Sequence, residues 1–235
     1  MKKLFVICLA VSAIFSCKRA ETGFSQEERR LINSADSIMR VLTIEDSLDL
    51  AVLRAVSRDF SADALMSEDF ARLSELMVAT VTHPSQDGVG IAGPQVGLNR
   101  RVVAVQRFDK EPVMNASGKM DHPFEVYPNI RIVCLSDSTA YGAEGCLSVP
   151  DMRADVLRST EVVVEYADLQ QLKENRLRHL PHAISSKSLN SKVLAGRDST
   201  QGNIPMVRDT VSGFTAVIFQ HEIDHLEGIL YIDRL

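Results

Sequence analysis

Residues 212–228 read SGFTAVIFQHEIDHLEG, and the architecture of the chain turns on this stretch. Ser212 is a helix-capping residue type, Phe214, Val217 and Ile218 recur at helical spacing, and Gly228 stands where a helix commonly stops in a left-handed residue. The stretch is therefore predicted to be the last helix. Before it, RRVVAVQRF (100–108), FEVYPNIRIVCL (124–135) and STEVVVEYADL (159–169) are rich in Val, Ile and aromatics between turn residues, which predicts strands. Earlier still, Phe70, Leu73, Leu76, Met77 and Thr80 recur at helical spacing behind an acidic first turn of Glu68 and Asp69, predicting a helix from Ser67 to about His83 that Pro84 ends. Helix, strands, helix, without regular βαβ alternation, predicts an α+β fold with a mainly antiparallel sheet packed around the C-terminal helix.

The chain of 235 residues, 45% hydrophobic and 24% charged, suits one globular domain. A net charge of -5 with scattered basic residues argues against nucleic acid as a partner. The opening MKKLFVICLAVSAIFSC (1–17) has a basic start, an apolar run from Leu4 to Phe15 and a small residue before Cys17. That is a secretory signal pattern, too short for a membrane span of about 20 apolar residues. Its ending, Ile14 to Cys17, resembles a bacterial lipobox, with Phe15 bulkier than the usual residue. Residues 1–16 are thus expected to be a signal peptide and Cys17 a lipidated N-terminus, giving an exported protein held to a membrane surface and facing the periplasm or cell exterior. A cytoplasmic protein is the alternative.

Residues 17–41 are predicted to be a spacer containing a short polar helix, capped by Ser25 with Glu28 completing a capping box. Residues 42–235 form the predicted main domain. Within it periodicity fades between about 172 and 209, where SSKSLNSK and AGRDSTQGN predict a long loop of functional length.

In HEIDH, two histidines four apart project from one helix face, so His221 and His225 can reach one metal ion while Glu222 flanks it. The bland alternative is two satisfied histidines, but near a buried apolar stripe two unpaired imidazoles are costly. A catalytic divalent site takes three protein ligands and leaves one position open. After His225 only Glu227 and Asp233 are carboxylates, which points upstream for the third ligand. Cys146 in EGCLSVP (144–150) would complete a chemically sensible Cys-His-His set. Cys8 and Cys17 belong to the export segment, and Cys134, in the strand-like IRIVCLS, reads as a small buried hydrophobe. An oxidising compartment would also permit a Cys134–Cys146 disulfide. Gly88, Gly90 and Gly93 suit close approach of a peptide backbone or an ordinary turn, and the run lacks the Lys-Ser/Thr ending of a phosphate loop.

GVGIAGPQVG (88–97), EGCLSVP (144–150) and QHEIDHLEG (220–228) together resemble the three motifs of the peptide deformylase family, in that family's order. VYPNI (126–130) resembles a family strand, and the similarity runs from about Leu42 to the closing YIDRL. The export signal, the spacer helix and the long loop depart from the pattern. The resemblance implies that Cys146, His221 and His225 bind the metal, that Glu222 is the general base, and that Gln95 and the Leu147 backbone N–H stabilise the oxyanion. It implies that Val89, Gly90 and Gly145 pair with the substrate backbone, and that Val217 and Ile218 line a pocket for methionine. The implied reaction removes the formyl group from N-formyl-methionyl peptides by attack of metal-activated water on the formyl carbon. The implied cofactor is Fe2+, and Zn2+ suits the same ligands. Rival readings are an exported metallopeptidase of different specificity and a non-catalytic surface lipoprotein. Asp224 is expected either to support a ligand or to pair with Arg158 or Arg153. His83, His122, His179 and His182, which have no partner spacing, are expected at the surface.

Overall fold

The computed structural model describes residues 23–115, 118–178 and 204–235. The expected signal segment with Cys17 and residues 179–203 of the expected loop lie outside the described residues. At the centre runs strand β2 (Val102–Gln106), all five residues of which are buried; β1 (Gly90–Ala92) and β5 (Phe124–Pro128) flank it in the order β1-β2-β5. Val102 and Ala104 join one apolar cluster, with Phe70, Leu73 and Met77, whereas Val103 and Val105 join another, with Phe219 and Ile223. A strand covered on both faces reads as a continuous apolar run, which is why VVAVQ shows no alternation.

One covering layer is helical. Helix α1 (Gln26–Ser34) is followed by the short α2 (Ser47–Leu53) and α3 (Ala62–Leu65), then by α4 (Glu68–Val81). The Ser67 side chain caps α4 by accepting the Phe70 N–H at 3.2 Å, and Phe70, Leu73, Leu76, Met77, Thr80 and Val81 are buried along one stripe. Helix α1 has the expected Ser25–Glu28 capping box. It is not a spacer. Ile32 is fully buried, the Phe24 ring packs tilted against Phe60 with centroids 5.4 Å apart, and Arg100 Nε donates to Glu28 at 2.6 Å, so residues 24–34 are part of the domain. Further contacts, Arg29 to Asp69 at 3.0 Å and Arg72 to the Ala35 carbonyl at 2.7 Å, dock a helix whose composition is mostly polar.

The other layer holds a second sheet, β6 (Arg131–Leu135), β9 (Glu161–Ala167) and β10 (Met206–Ser212), in the order β10-β9-β6, together with α6 (Gly213–Leu226). The stretch predicted as a single strand over 124–135 divides between β5 and β6 at Asn129, whose φ is 54°. Its amide bonds the Phe60 backbone through both N–H (2.7 Å) and carbonyl (3.0 Å), which ties the break to the helical layer. Cys134 is exposed, not buried: the β6–β9 register shifts between Ile132 and Cys134, so the expected alternation fails there.

A long hairpin of β7 (Thr139–Cys146) and β8 (Val149–Ser159), and a small one of β3 (Val113–Met114) and β4 (Met120–Asp121), complete the sheets, and all the strand pairs are antiparallel. The stretch expected to be loop is structured at both ends. Helix α5 (Leu169–Arg178) starts with the Asp168 carboxylate accepting the Gln171 N–H at 2.9 Å, and β10 pairs with β9 from Met206 to Ser212. Both elements are mostly polar and exposed, so neither left a hydrophobic period to read. Among the described residues no helix is long and apolar enough to cross a membrane.

Candidate metal centre and substrate cleft

Helix α6 carries the site. Strand β10 feeds into it at Gly213, whose φ of 64° turns the chain, and Ser212 precedes the helix without a side-chain capping bond. The buried side is not the Phe214, Val217, Ile218 stripe. Phe214 is 54% exposed, Val217 is half-buried, and the core face is Thr215, Ala216, Ile218 and Phe219, followed by every residue from Gln220 to Leu226. Gln220 locks the helix to β8 by accepting the Ser159 N–H (3.1 Å) and donating to the Ser159 carbonyl (2.9 Å). Burying His221, Glu222, Asp224 and His225 together is costly wherever a polar atom among them is left without a partner, as Glu222 Oε2 and His225 Nδ1 are among the described residues.

Cys146 meets these histidines from the end of β7, where a register shift between Gly145 and Cys146 turns the strand. Its Sγ lies 3.3 Å from His225 Nε2, and ligand atoms of Cys146, His221 and His225 all lie within 4.8 Å of one another. Cys146 and Cys134 are both free thiols, which removes the disulfide alternative. His221 Nδ1 is 2.7 Å from Glu144 Oε2, leaving Nε2 as the ring's remaining donor atom. Burial works against a charged His221, but hydrogen bonds to Cys146 and Glu144 outweigh it and push its pKa up to about 10. At His225 burial dominates and, with the charges of His221 and Arg158, drives the pKa well below the ordinary value, so this ring is neutral. A thiol and two imidazoles held this close in a buried setting are the donor set that suits a zinc- or iron-type divalent ion.

Around these three sits a buried ion network. Arg158 donates to Glu144 Oε1 through Nε (2.7 Å) and to Glu144 Oε2 through Nη2 (3.0 Å), while its Nη1 reaches Asp224 at 2.6 Å. Desolvation would raise the Glu144 pKa, but His221 and Arg158 bring it down to about 2. Asp224 also takes both arms of Arg234. Of the expected partners for Asp224, Arg158 is the one found; Arg153 lies exposed at the cleft mouth.

Glu222 is 4% exposed, and its Oε2 has no hydrogen-bond partner among the described residues. Burial pushes its pKa up to about 7, against the pull of the neighbouring His221. Gln95 sits on a 3-10 turn, Gly93–Val96, where its Oε1 accepts the Ala92 N–H at 2.8 Å; this orients Nε2 toward Cys146 Sγ at 3.5 Å. These groups floor a cleft of about 770 Å³, and Val89, Gly90, Gly145, Leu147, Val217 and Ile218 all line it. On one side is β1, the edge of its sheet, and on the other β7. The Val89 carbonyl already accepts the Gln106 N–H at 2.9 Å.

The residues singled out at the site in the sequence thus line one cleft, except His225, which is buried behind it within reach of Cys146 and His221, and Cys17, which is outside the described residues. Two of the glycines also make room within the chain itself. A Cβ on Gly90 would sit 2.5 Å from Glu222 Oε1, and one on Gly93 would sit 2.6 Å from the Arg100 carbonyl, so the close approach is to the chain's own groups. His83 is exposed, whereas His122 is half-buried with its ring 5.1 Å from Phe108; His179 and His182 lie outside the described residues. Sequence reading missed the brace that Glu144 gives His221 and the position of Phe214 on the cleft. A signal for the first was present, since Glu144 and Cys146 are two apart on one strand and share a face.

Fold and site together define an α+β protein with a candidate metal centre, whose donor atoms come from one helix and one strand end. The sequence model described as polypeptide deformylase matches residues 38–179 and 196–235. The chain is 31% identical to a peptide deformylase of Leptospira biflexa over 184 residues, covering 78% of this chain and 82% of that one. It is 34% identical to peptide deformylase 2 of Gloeobacter violaceus, covering 78% and 74%. A class I type b peptide deformylase from Acinetobacter baumannii, solved with Met-Ala-Ser bound, superposes with a TM-score of 0.59 at 30% identity, covering 84% of this chain and 98% of that one. The same Acinetobacter protein solved with actinonin matches at a TM-score of 0.59 and 28% identity, covering 85% and 99%. The chain belongs to the polypeptide deformylase family and is a metal-binding enzyme of that family.

Proposed function

We propose that the enzyme removes the formyl group from N-formyl-methionyl peptides, with Cys146, His221 and His225 holding one divalent ion. The observation that carries this is the convergence of those three side chains beneath a cleft between two strand edges that Glu222 and Gln95 also line. Fe2+ follows from the family resemblance, and Zn2+ suits the same thiolate and imidazoles. A divalent ion there supplies Lewis acidity and lowers the pKa of water toward neutrality.

The rest falls to the chain. Glu222, its pKa raised to about 7 by burial, takes a proton from the attacking water and returns it to the leaving amine. Gln95 Nε2 and the Leu147 backbone N–H stabilise the charge that develops on the formyl oxygen. The edges of β1 at Val89 and Gly90 and of β7 at Gly145 bind the peptide as an added strand. Val217 and Ile218, one helical turn before His221, receive the methionine side chain. The Met-Ala-Ser held by the Acinetobacter relative supports a substrate of this shape.

The test is formate release from formyl-Met-Ala-Ser by metal-reconstituted protein. Release that is lost in Glu222→Ala supports the proposal; cleavage of an internal bond with no formate would replace it with a peptidase of another specificity, and a folded, metal-loaded protein with neither activity with a binding lipoprotein.

We further propose that the enzyme is exported and anchored to a membrane surface through a lipidated Cys17, and so meets formylated peptides outside the cytosol. Labelling with a radioactive fatty acid should mark the wild type and not Cys17→Ala. An unlabelled wild type in the cytosolic fraction would return the protein to the cytoplasm.

A further inference from the structure

We infer that the C-terminal turn Tyr231–Arg234 is a positioning element for the metal ligand His221, and that Arg234 is its principal positioning residue. The inference rests on the metal-centred reading above. The Tyr231 ring is 1% exposed and stacks on the His221 ring, with centroids 5.9 Å apart and an interplanar angle of 24°. Arg234 begins a relay that ends at the Nδ1 edge of the same imidazole. Its two arms clamp the Asp224 carboxylate, Asp224 holds Arg158 Nη1 at 2.6 Å, Arg158 grips both Glu144 oxygens, and Glu144 Oε2 meets His221 Nδ1 at 2.7 Å. One end of the chain thus touches one ligand twice, by a ring face and by a series of charge-assisted bonds.

The turn is itself pinned from outside. Asp233 Oδ2 accepts the Leu230 N–H at 2.8 Å and thereby closes the turn, and the Arg54 guanidinium, at the end of α2, grips both Asp233 oxygens. Gly228, with φ 72°, lets the chain leave α6 so close to α2 that a Cβ there would lie 2.3 Å from the Arg54 carbonyl. Adjacent residues therefore face opposite ways: Asp233 bonds to the scaffold, Arg234 to the network behind the ligand. Asp224 between Arg158 and Arg234 has two cationic partners, and without Arg234 it is free to draw Arg158 away from Glu144. Groups that orient a ligating histidine typically change metal affinity 10- to 100-fold when removed. A planar, two-armed guanidinium fixes a carboxylate in a way that a lysine ammonium cannot.

The experiment measures Zn2+ affinity of the purified full chain by competition with a chromogenic chelator, and the visible absorption of the Co2+-loaded form. Arg234→Ala is expected to raise the Zn2+ dissociation constant about 10-fold or more and to shift the Co2+ bands. Arg234→Lys should recover only part of the affinity. Arg54→Ala, which loosens the same turn from the other side, should lower thermal stability and shift the Co2+ bands less than Arg234→Ala does, and Tyr231→Phe should keep both, since the Tyr231 hydroxyl has no hydrogen-bond partner among the described residues. Should Arg234→Ala not fold, Arg234→Gln serves in its place. A folded Arg234 variant with unchanged Zn2+ affinity and Co2+ bands overturns the inference, as does an Arg54→Ala that shifts the bands equally. Wild type that binds Zn2+ normally but releases no formate would instead count against the proposed reaction and leave this inference standing.

Discussion

Gly90 is a glycine because Glu222 fills the space beside it. A methyl group there would sit 2.5 Å from the carboxylate oxygen, and the neighbouring backbone belongs to a paired strand, so the carboxylate is what must move. Gly90→Ala is accordingly expected to lower kcat for formate release at least about 10-fold with little change in melting temperature, because an ångström of misplacement at a reacting group can cost two orders of magnitude. Equal kcat in the two proteins would show that Glu222 needs no such room. Gln95→Ala removes one of the two donors proposed for the oxyanion and should lower kcat about 100-fold or more, with a smaller effect on KM. A change confined to KM would make Gln95 a binding group only. At this scale the sequence was informative where chemistry constrains spacing: His221 and His225 four apart on one face, Cys146 within a motif of its own. It was silent about the third dimension. Nothing in a linear text says that Asp224 chooses Arg158 and Arg234 over Arg153, or that Gly90 yields its side-chain space to a residue 132 positions later, a separation that follows from their numbering.

Elements that bury a stripe announced themselves; those that lie half in water did not. In α4 the stripe of Phe70, Leu73, Leu76 and Met77 behind a serine cap gave both the helix and its first residue. Leu73 is fully buried and Leu48 is 78% exposed, so Leu73→Ala should cost about 2–5 kcal/mol in urea denaturation and Leu48→Ala within about 0.5 kcal/mol. Similar losses at both positions would mean that this layer is not packed as described. Helix α1, α5 and β10 carry few apolar residues, and docking, not periodicity, decides their place. For α1 the docking charge is Glu28. Burial alone would raise its pKa, but Arg100 and the Ser25 N–H hold it below the ordinary 4.5. A depressed folded pKa contributes stability that is present above the unfolded value and is lost as pH falls through the folded one. The stability gap between wild type and Glu28→Gln should therefore be full near neutral pH and shrink below the ordinary carboxylate range. A gap that persists unchanged into acid would place the contribution of Glu28 elsewhere than in its charge.

As a whole molecule, the protein is a sheet covered on both faces, with its last helix buried against one face so that polar residues of HEIDH are withdrawn from water together. The order of helix, strands and helix made the α+β class legible. The division into two three-stranded sheets was not, because it hinges on Asn129 adopting a left-handed backbone and bonding Phe60 across the core. The docking of the first helix was hidden for a related reason, since Phe24 and Ile32 become core residues only once Phe60 and Phe70 are beside them. The central claim joins these scales: a strand end and a buried helix deliver one sulfur and two nitrogens to a single ion. X-ray absorption at the metal edge of the Zn2+-loaded protein tests it most directly. The account predicts one sulfur at about 2.3 Å and two imidazole nitrogens at about 2.0 Å, with the sulfur contribution disappearing in Cys146→Ser. A shell of light atoms alone in the wild type, or a sulfur that survives the substitution, would contradict it.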